Sequence, residues 1–377
     1  MKVSTRKRPN RKQKREIYRK TRRNIERLLT YSVNKRRARF SKKDHAKFLI
    51  YASLLNAFAE GISQSLDDVP SADTLLHYVK SQDREKMQVA FESQLRRNIL
   101  GLKRQRKLWK AVSIAIDWHD EMYYGDHVKT PMVNGTKPKD GSCYAFQFLT
   151  VSLLVDGERL VVGVMPLESR SELPTLTLIA IERLRELGVK ISDVTVDAGF
   201  FSAEMIEYLK SEFEKNNLRH IIRMPINRKA KRMRLWEGRR FTYSLEDKKR
   251  ISSGSSPMVS FEVVVAYDKD KQKTDGKDYV YLFATNFPFD SEKILQLYKD
   301  RWAIETGYRM YNQFLMKTTS RNYTIRLFYF LFACLMYNSW VIYNNESCEE
   351  NVDVATIKVI QLKTFLIEVI MRMPETT

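Results

Sequence analysis

From residue 111 onward the apolar residues change period, and this switch constrains the fold more than any other feature. Residues 111–116 (Ala-Val-Ser-Ile-Ala-Ile) form a short apolar run that ends in Asp117. A run of this length, rich in β-branched residues, reads as a buried strand. Residues 144–155 and 158–165 follow, split at Asp156-Gly157. An Asp-Gly pair between two such runs predicts an antiparallel hairpin. Pro174 opens a helix with Leu176, Ala180, Leu184 and Leu187 on one face, and Gly188 stops it. Residues 189–196 form the next strand, ending in Asp197. Ser202 caps a helix over 203–213, and 220–224 is a further strand closed by Pro225. The order strand, hairpin, helix, strand, helix, strand predicts a mixed α/β sheet with flanking helices. Residues 228–282 interrupt it as a β-rich insertion with strands at 241–245, 259–267 and 278–286, the last placed to rejoin the main sheet. Ser291 starts a long helix through Tyr298, Arg301, Glu305 and Arg309.

The first 110 residues read differently. Phe48, Leu49, Ala52, Leu55 and Ala59 recur at helical spacing within 44–64, and further helices are expected at 75–80 and 84–101. A helix-turn-helix is one arrangement of these, although the turn signature is weak. Residues 1–43 hold Ile17, Tyr18, Ile25, Leu28 and Leu29, enough for a surface helix but not for a core. Without a partner such a segment is expected to be disordered. At 377 residues, two or three folding units are expected. The reading is a basic helical DNA-binding region (1–110), an α/β core (111–227 and 283–345) interrupted by the insertion (228–282), and a C-terminal helical tail (346–377).

Charge selects the class of partner. The net charge is +21, and residues 1–43 hold 19 Lys and Arg against two acids, Glu16 and Glu26. Residues 219–250 form a second basic block, with 12 Lys and Arg against three acids. A polyanion such as nucleic acid fits, because each neutralised phosphate releases counterions. Three cysteines, Cys143, Cys334 and Cys348, make neither a disulfide framework nor a zinc site. No apolar stretch follows the basic N-terminus closely enough for a secretory signal, so a cytoplasmic, nucleoid-associated protein is expected. Residues 327–337 carry no charge, but Arg326 begins the run and Asn338 interrupts its continuation. A membrane span needs about 20 apolar residues, so a helix buried in a soluble core is expected. There is no P-loop, and ATP is not expected.

Asp117 and Asp197 each sit where a strand is expected to end, and Glu305 lies within the long helix. Ligands of α/β sheets gather outside the carboxyl ends of strands. Three acids from separate segments can hold two divalent cations. Magnesium prefers hard oxygen ligands and keeps several waters, which leaves room for a phosphate. Asp120 and Asp126 compete with Asp117, and Asp193 competes with Asp197 from a place before the strand. His119 and His127 lie near Asp117 without completing a zinc set.

The motifs Asp117-Trp118-His119-Asp120 and Asp197-Ala198-Gly199-Phe200 resemble the first two acid blocks of DDE transposases with a ribonuclease-H-like core. Tyr298-Lys299-Asp300-Arg301-Trp302-Ala303-Ile304-Glu305 matches the Tyr-x2-Arg-x3-Glu signature of the YREK group of insertion-sequence transposases. Thr306-Gly307-Tyr308-Arg309 and Lys317-Thr318-Thr319-Ser320 resemble archaeal members of that group. The resemblance covers residues 111–345; the N-terminal region resembles the family in position and charge alone.

The resemblance implies that Asp117, Asp197 and Glu305 are catalytic and bind two magnesium ions, or manganese in their place. It implies that Tyr298 and Arg301 position the DNA backbone. The group's lysine falls at Asn312, which shares a helix face with positions 298, 301 and 305, so Arg309 or Lys317 is expected to contact phosphate instead. Arg232, Arg234 and Trp236 of the basic insertion are further candidate DNA contacts, the tryptophan either stacking on a base or packing. The implied reaction is cleavage at transposon ends, followed by joining of the 3′-hydroxyl to target DNA. Double-stranded DNA, both ends and target, is the implied partner, and two ends imply a homodimer. The rivals are a ribonuclease-H-like nuclease that cuts without joining, and a non-catalytic DNA-binding protein derived from a transposase.

Overall fold

The computed structural model describes residues 11–33, 38–155, 158–226, 232–233, 239–247, 257–269 and 279–347, with the backbone alone at 11–14, 158, 301–310 and 343–347. The expected C-terminal tail lies outside the described residues apart from its first two positions. The chain divides into two compact units. One comprises the described parts of Met1–Asn98, Tyr123–Thr130 and Gly307–Thr377; the other comprises Ile99–Met122 and Pro131–Thr306.

Among the described residues, the second unit holds one nine-stranded mixed sheet. Its strands are β1 (Val112–Met122), β2 (Val133–Lys139), β3 (Ser142–Val155), β4 (Glu158–Leu167), β5 (Ile191–Val196), β6 (Arg219–Arg223), β7 (Arg240–Glu246), β8 (Met258–Tyr267) and β9 (Val280–Thr285). The order is β2-β3-β1-β5-β6-β9-β8-β7, and β4 also pairs with β3. β1, β5 and β6 are parallel neighbours; every other pairing is antiparallel. The expected hairpin is present as β3–β4, although its Asp-Gly turn lies outside the described residues. β2 had no strand signal: Gly135 and Pro138 break its pattern, and pairing with the first residues of β3 supplies what the sequence lacks.

The β-rich segment joins the main sheet, with β7 and β8 continuing it beyond β9. One expectation about the sheet is corrected. β1 does not end at Asp117. It runs five residues further because β3, antiparallel to it, pairs as far as Met122.

Two helices of this unit are capped as the sequence indicates. In α6 (Leu173–Glu186), Pro174 stands in the first turn, and Gly188, in the left-handed region at φ +68°, follows its end. In α7 (Ala203–Asn216), the Ser202 hydroxyl accepts the Met205 N–H at 3.1 Å. The first turns of α8 (Ser291–Asn312) press Ile294, Leu295 and Tyr298 onto Ile221, Val264, Tyr281 and Phe283 of the sheet.

The first unit is helical. It contains α1 (Arg11–Leu28), α2 (Lys42–Leu54), α3 (Ala59–Ser65), α4 (Ala72–Lys80), most of α5 (Arg84–Arg104) and α9 (Tyr323–Ser347). The single helix expected over 44–64 is two, separated where Asn56 adopts a left-handed φ of 54°. α1 also departs from expectation. Ile25, Leu28 and Leu29 are fully buried and Tyr18 nearly so, and α1 packs on α2 and α9. Few apolar residues suffice because Tyr18, Ile25, Leu28 and Leu29 recur on one stripe while the cations face out.

α9 is long and apolar enough to cross a membrane by length and composition, yet most of that stretch is buried within the protein. A helix apolar on all sides needs cover on all sides, and α1 and α4 supply part of it. Residues 307–347 therefore group with the N-terminal helices, where the sequence reading had placed 283–345 together.

Candidate active site

Asp117 and Asp197 owe their proximity to strand pairing. β1 and β5 run parallel in a register that pairs Ile116 with Val196. The next residue on each strand is one of the two aspartates, and parallel pairing ends there. Both side chains are partly exposed. Asp117 Oδ1 accepts the N–H of Trp118 at 2.9 Å. Asp197 precedes a short 3-10 turn, Ala198–Phe200, and leads into the Ser202 cap of α7. Its carboxylate accepts the Tyr298 hydroxyl at 3.1 Å, and the Arg223 guanidinium stands 3.9 Å away.

The competing acids are occupied elsewhere. Asp120, on the opposite face of β1, accepts Thr136 Oγ1 at 2.5 Å and Gln147 Nε2 at 2.6 Å. Asp193 lies inside β5, three residues before the end of the strand, and takes the Ser113 and Ser192 hydroxyls. Burial raises its pKa above the usual carboxylate value, against the pull of those two hydroxyls. Asp126 caps the Val128 N–H in an exposed loop of the first unit. His119 points its Nε2 at Glu121 Oε1, 3.1 Å away on the same face of β1. Among the described residues, no group of three His, Cys, Asp or Glu is placed to hold a metal.

Trp118 fastens the two acid-bearing segments. Its indole lies so close to Gly199 that a Cβ there would fall 1.7 Å from the ring. Phe200 packs beside it with centroids 5.3 Å apart, and the Arg170 guanidinium caps the ring at 5.4 Å. Glycine at 199 is thus required by close approach.

Tyr298, read from sequence as a backbone contact to DNA, is 1% exposed, and its ring packs against Phe283 with centroids 4.8 Å apart. Its hydroxyl ends on Asp197 rather than at the surface. Position 305 follows it by seven residues, two turns on along the same face of α8. The side chains of Arg301, Glu305 and Arg309 lie outside the described residues, as do Arg234 and Trp236. Arg232 is exposed. Lys317 is exposed in the first unit, where its backbone bridges to Phe58. Sequence reading missed Arg223; the signal was a cation closing a strand immediately parallel to β5.

The geometry defines an α/β sheet protein with paired carboxylates where its central parallel strands part. The pattern of the family described as Transposase DDE domain matches residues 113–339, and the chain belongs to that family. No curated protein sequence matches. Among solved structures, the fold is similar to the piggyBac transposase in a synaptic complex with hairpin DNA, with a TM-score of 0.53 and 14% identity, covering 96% of this chain and 80% of that one. The likeness is one of fold, the ribonuclease-H-like mixed sheet with its flanking helices. Membership implies use of a divalent metal. The donors fit, since Asp117 and Asp197 offer hard carboxylate oxygens side by side.

Proposed function

We propose that this protein is a DNA transposase of the YREK group of insertion-sequence enzymes, which cuts transposon ends and joins the resulting 3′-hydroxyl to target DNA. The observation that carries this reading is the placement of Asp117 and Asp197 one residue beyond the last parallel pair of β1 and β5. These two residues and Glu305 would hold two magnesium or manganese ions. When bound, such a pair stabilises charge on both the attacking and the leaving oxygen of an in-line phosphoryl displacement.

The protein's own groups orient the site. The Tyr298 hydroxyl holds one oxygen of Asp197, and Arg223 offsets part of the negative charge. Trp118 holds the Asp197 turn at a set distance from β1. Arg301, Arg309, Arg232 and Arg234 are cations for DNA phosphates, suited by guanidinium forks that grip paired oxygens; Lys317 offers a single ammonium charge for the same purpose, and Trp236 is a base-stacking contact. Support for a DNA partner comes from the net charge of +21 and from family membership. Two ends held together call for a homodimer.

The test uses Asp117→Ala, Asp197→Ala and Glu305→Ala with a labelled duplex bearing the element's end. Each variant should lose magnesium-dependent cleavage and joining while binding the duplex without metal. Full activity in any of them would refute the site. Cut product without joined product from the unaltered protein would make it a nuclease instead.

A further inference from the structure

The helical unit concentrates positive charge in a way its own acids do not balance. α1 has two acids within its described turns, and both are taken on that helix: Glu16 pairs with Lys20, and Glu26 with Arg22. Arg23 and Arg27 follow one another at a spacing of four, exposed on one stripe of α1. Like charges so placed repel. Across from them, on α5, Gln94 is 2% exposed, and its amide oxygen accepts Arg97 Nη1 at 2.9 Å and Arg27 Nη1 at 3.4 Å. Two guanidinium groups from different helices are thus drawn to one neutral, buried acceptor. The pKa of Arg27 is lowered, by burial first and then by Arg97 and Arg23. A neutral amide satisfies hydrogen bonds without cancelling charge, so the outer donors of both forks stay available to an anion.

We propose that Arg23, Arg27 and Arg97 form a clamp for a backbone phosphate of double-stranded DNA, with Gln94 as the fixed post that sets the two forks side by side. Arginine forks suit phosphate oxygens in pairs. The duplex backbone is the polyanion that matches the charge of this region, where residues 1–43 alone hold 19 cations against two acids. This inference rests on the reading of the chain as DNA-binding and assigns a contact of the helical unit, separate from the carboxylate site.

Binding of a duplex oligonucleotide without divalent metal, followed by fluorescence anisotropy over a range of salt, tests it. Arg27→Ala and Arg97→Ala should each weaken binding about tenfold at low salt. The double variant should lose little more than either single one, because both act on one phosphate. Its slope of log affinity against log salt should fall by about 0.9. Gln94→Glu keeps every arginine but places a carboxylate under the forks, and it should weaken binding as much as the double variant without lowering the melting temperature. Lys80→Ala, an equal charge change elsewhere on this unit, should have a smaller effect. Wild-type affinity in the double variant, or an equal loss in Lys80→Ala, overturns the clamp, and tighter binding of duplex RNA overturns the choice of partner. If the unaltered protein binds DNA but cleaves none, the catalytic reading fails while the clamp stands.

Discussion

The Tyr298 hydroxyl donates to Asp197 Oδ1 at 3.1 Å, so the helix that carries position 305 is tied directly to the acid at the end of β5. The sequence distance between the two is 101 residues. The bond makes one buried aromatic ring both a core residue and a support for the site. Tyr298→Phe keeps the packing on Phe283 and removes the bond. Hydrogen bonds to charged groups contribute about 1.5–3 kcal/mol, so cleavage should fall at least tenfold. Metal-free DNA binding should be unchanged, and single-turnover cleavage beside an anisotropy titration separates the two.

Gly199→Ala should be far more damaging than an alanine in an open turn. The added Cβ would meet the Trp118 ring at 1.7 Å, so either the indole or the Asp197 turn must move. Cleavage should drop by two orders of magnitude or more, on the scale of about 3 kcal/mol. Trp118→Phe shortens the ring and should restore part of the lost activity in the double variant. Cleavage assays on the two single variants and the double one read this out.

Ile25→Ala tests whether α1 is structural. A buried isoleucine cut to alanine costs about 2–5 kcal/mol, whereas in a loose arm the change would cost nothing. Chemical denaturation of the full chain, followed by far-ultraviolet circular dichroism, should show a lower midpoint.

His220 gives a pH dependence whose sign can be fixed. It is fully buried in β6, and burial lowers its pKa from 6.5 to about 4. The folded state therefore holds the neutral ring, and the unfolded chain binds a proton first as pH falls. The stability this provides is complete above 6.5 and is lost as pH drops through the window down to about 4. The loss is on the order of 3 kcal/mol. His220→Leu should remove that slope, whatever its effect at neutral pH, as denaturation midpoints measured across the window would show.

The parts of this protein legible in its sequence are those set by local pattern. The β3–β4 hairpin, the Pro174 and Ser202 helix starts and the Gly188 stop follow from residues within a few positions of each other. So does the candidacy of Asp117 and Asp197, because each ends an apolar run. What was not legible depends on distant partners. β1 extends past Asp117 only because β3 lies beside it. β2 exists only as a partner of β3. α1 looked too poor in apolar residues for a core until α2 and α9 closed on its one stripe. Arg223 entered the site through the register of β5 with β6, which no local motif encodes.

β9 stands between β6 and β8, with hydrogen bonds to both. The segment that interrupts the core therefore cannot be exchanged like a cassette between relatives. A chimera carrying a foreign segment there must also bring a strand that fits the exposed flank of β9, or leave raw sheet edge immediately upstream of α8, the helix that bears Glu305.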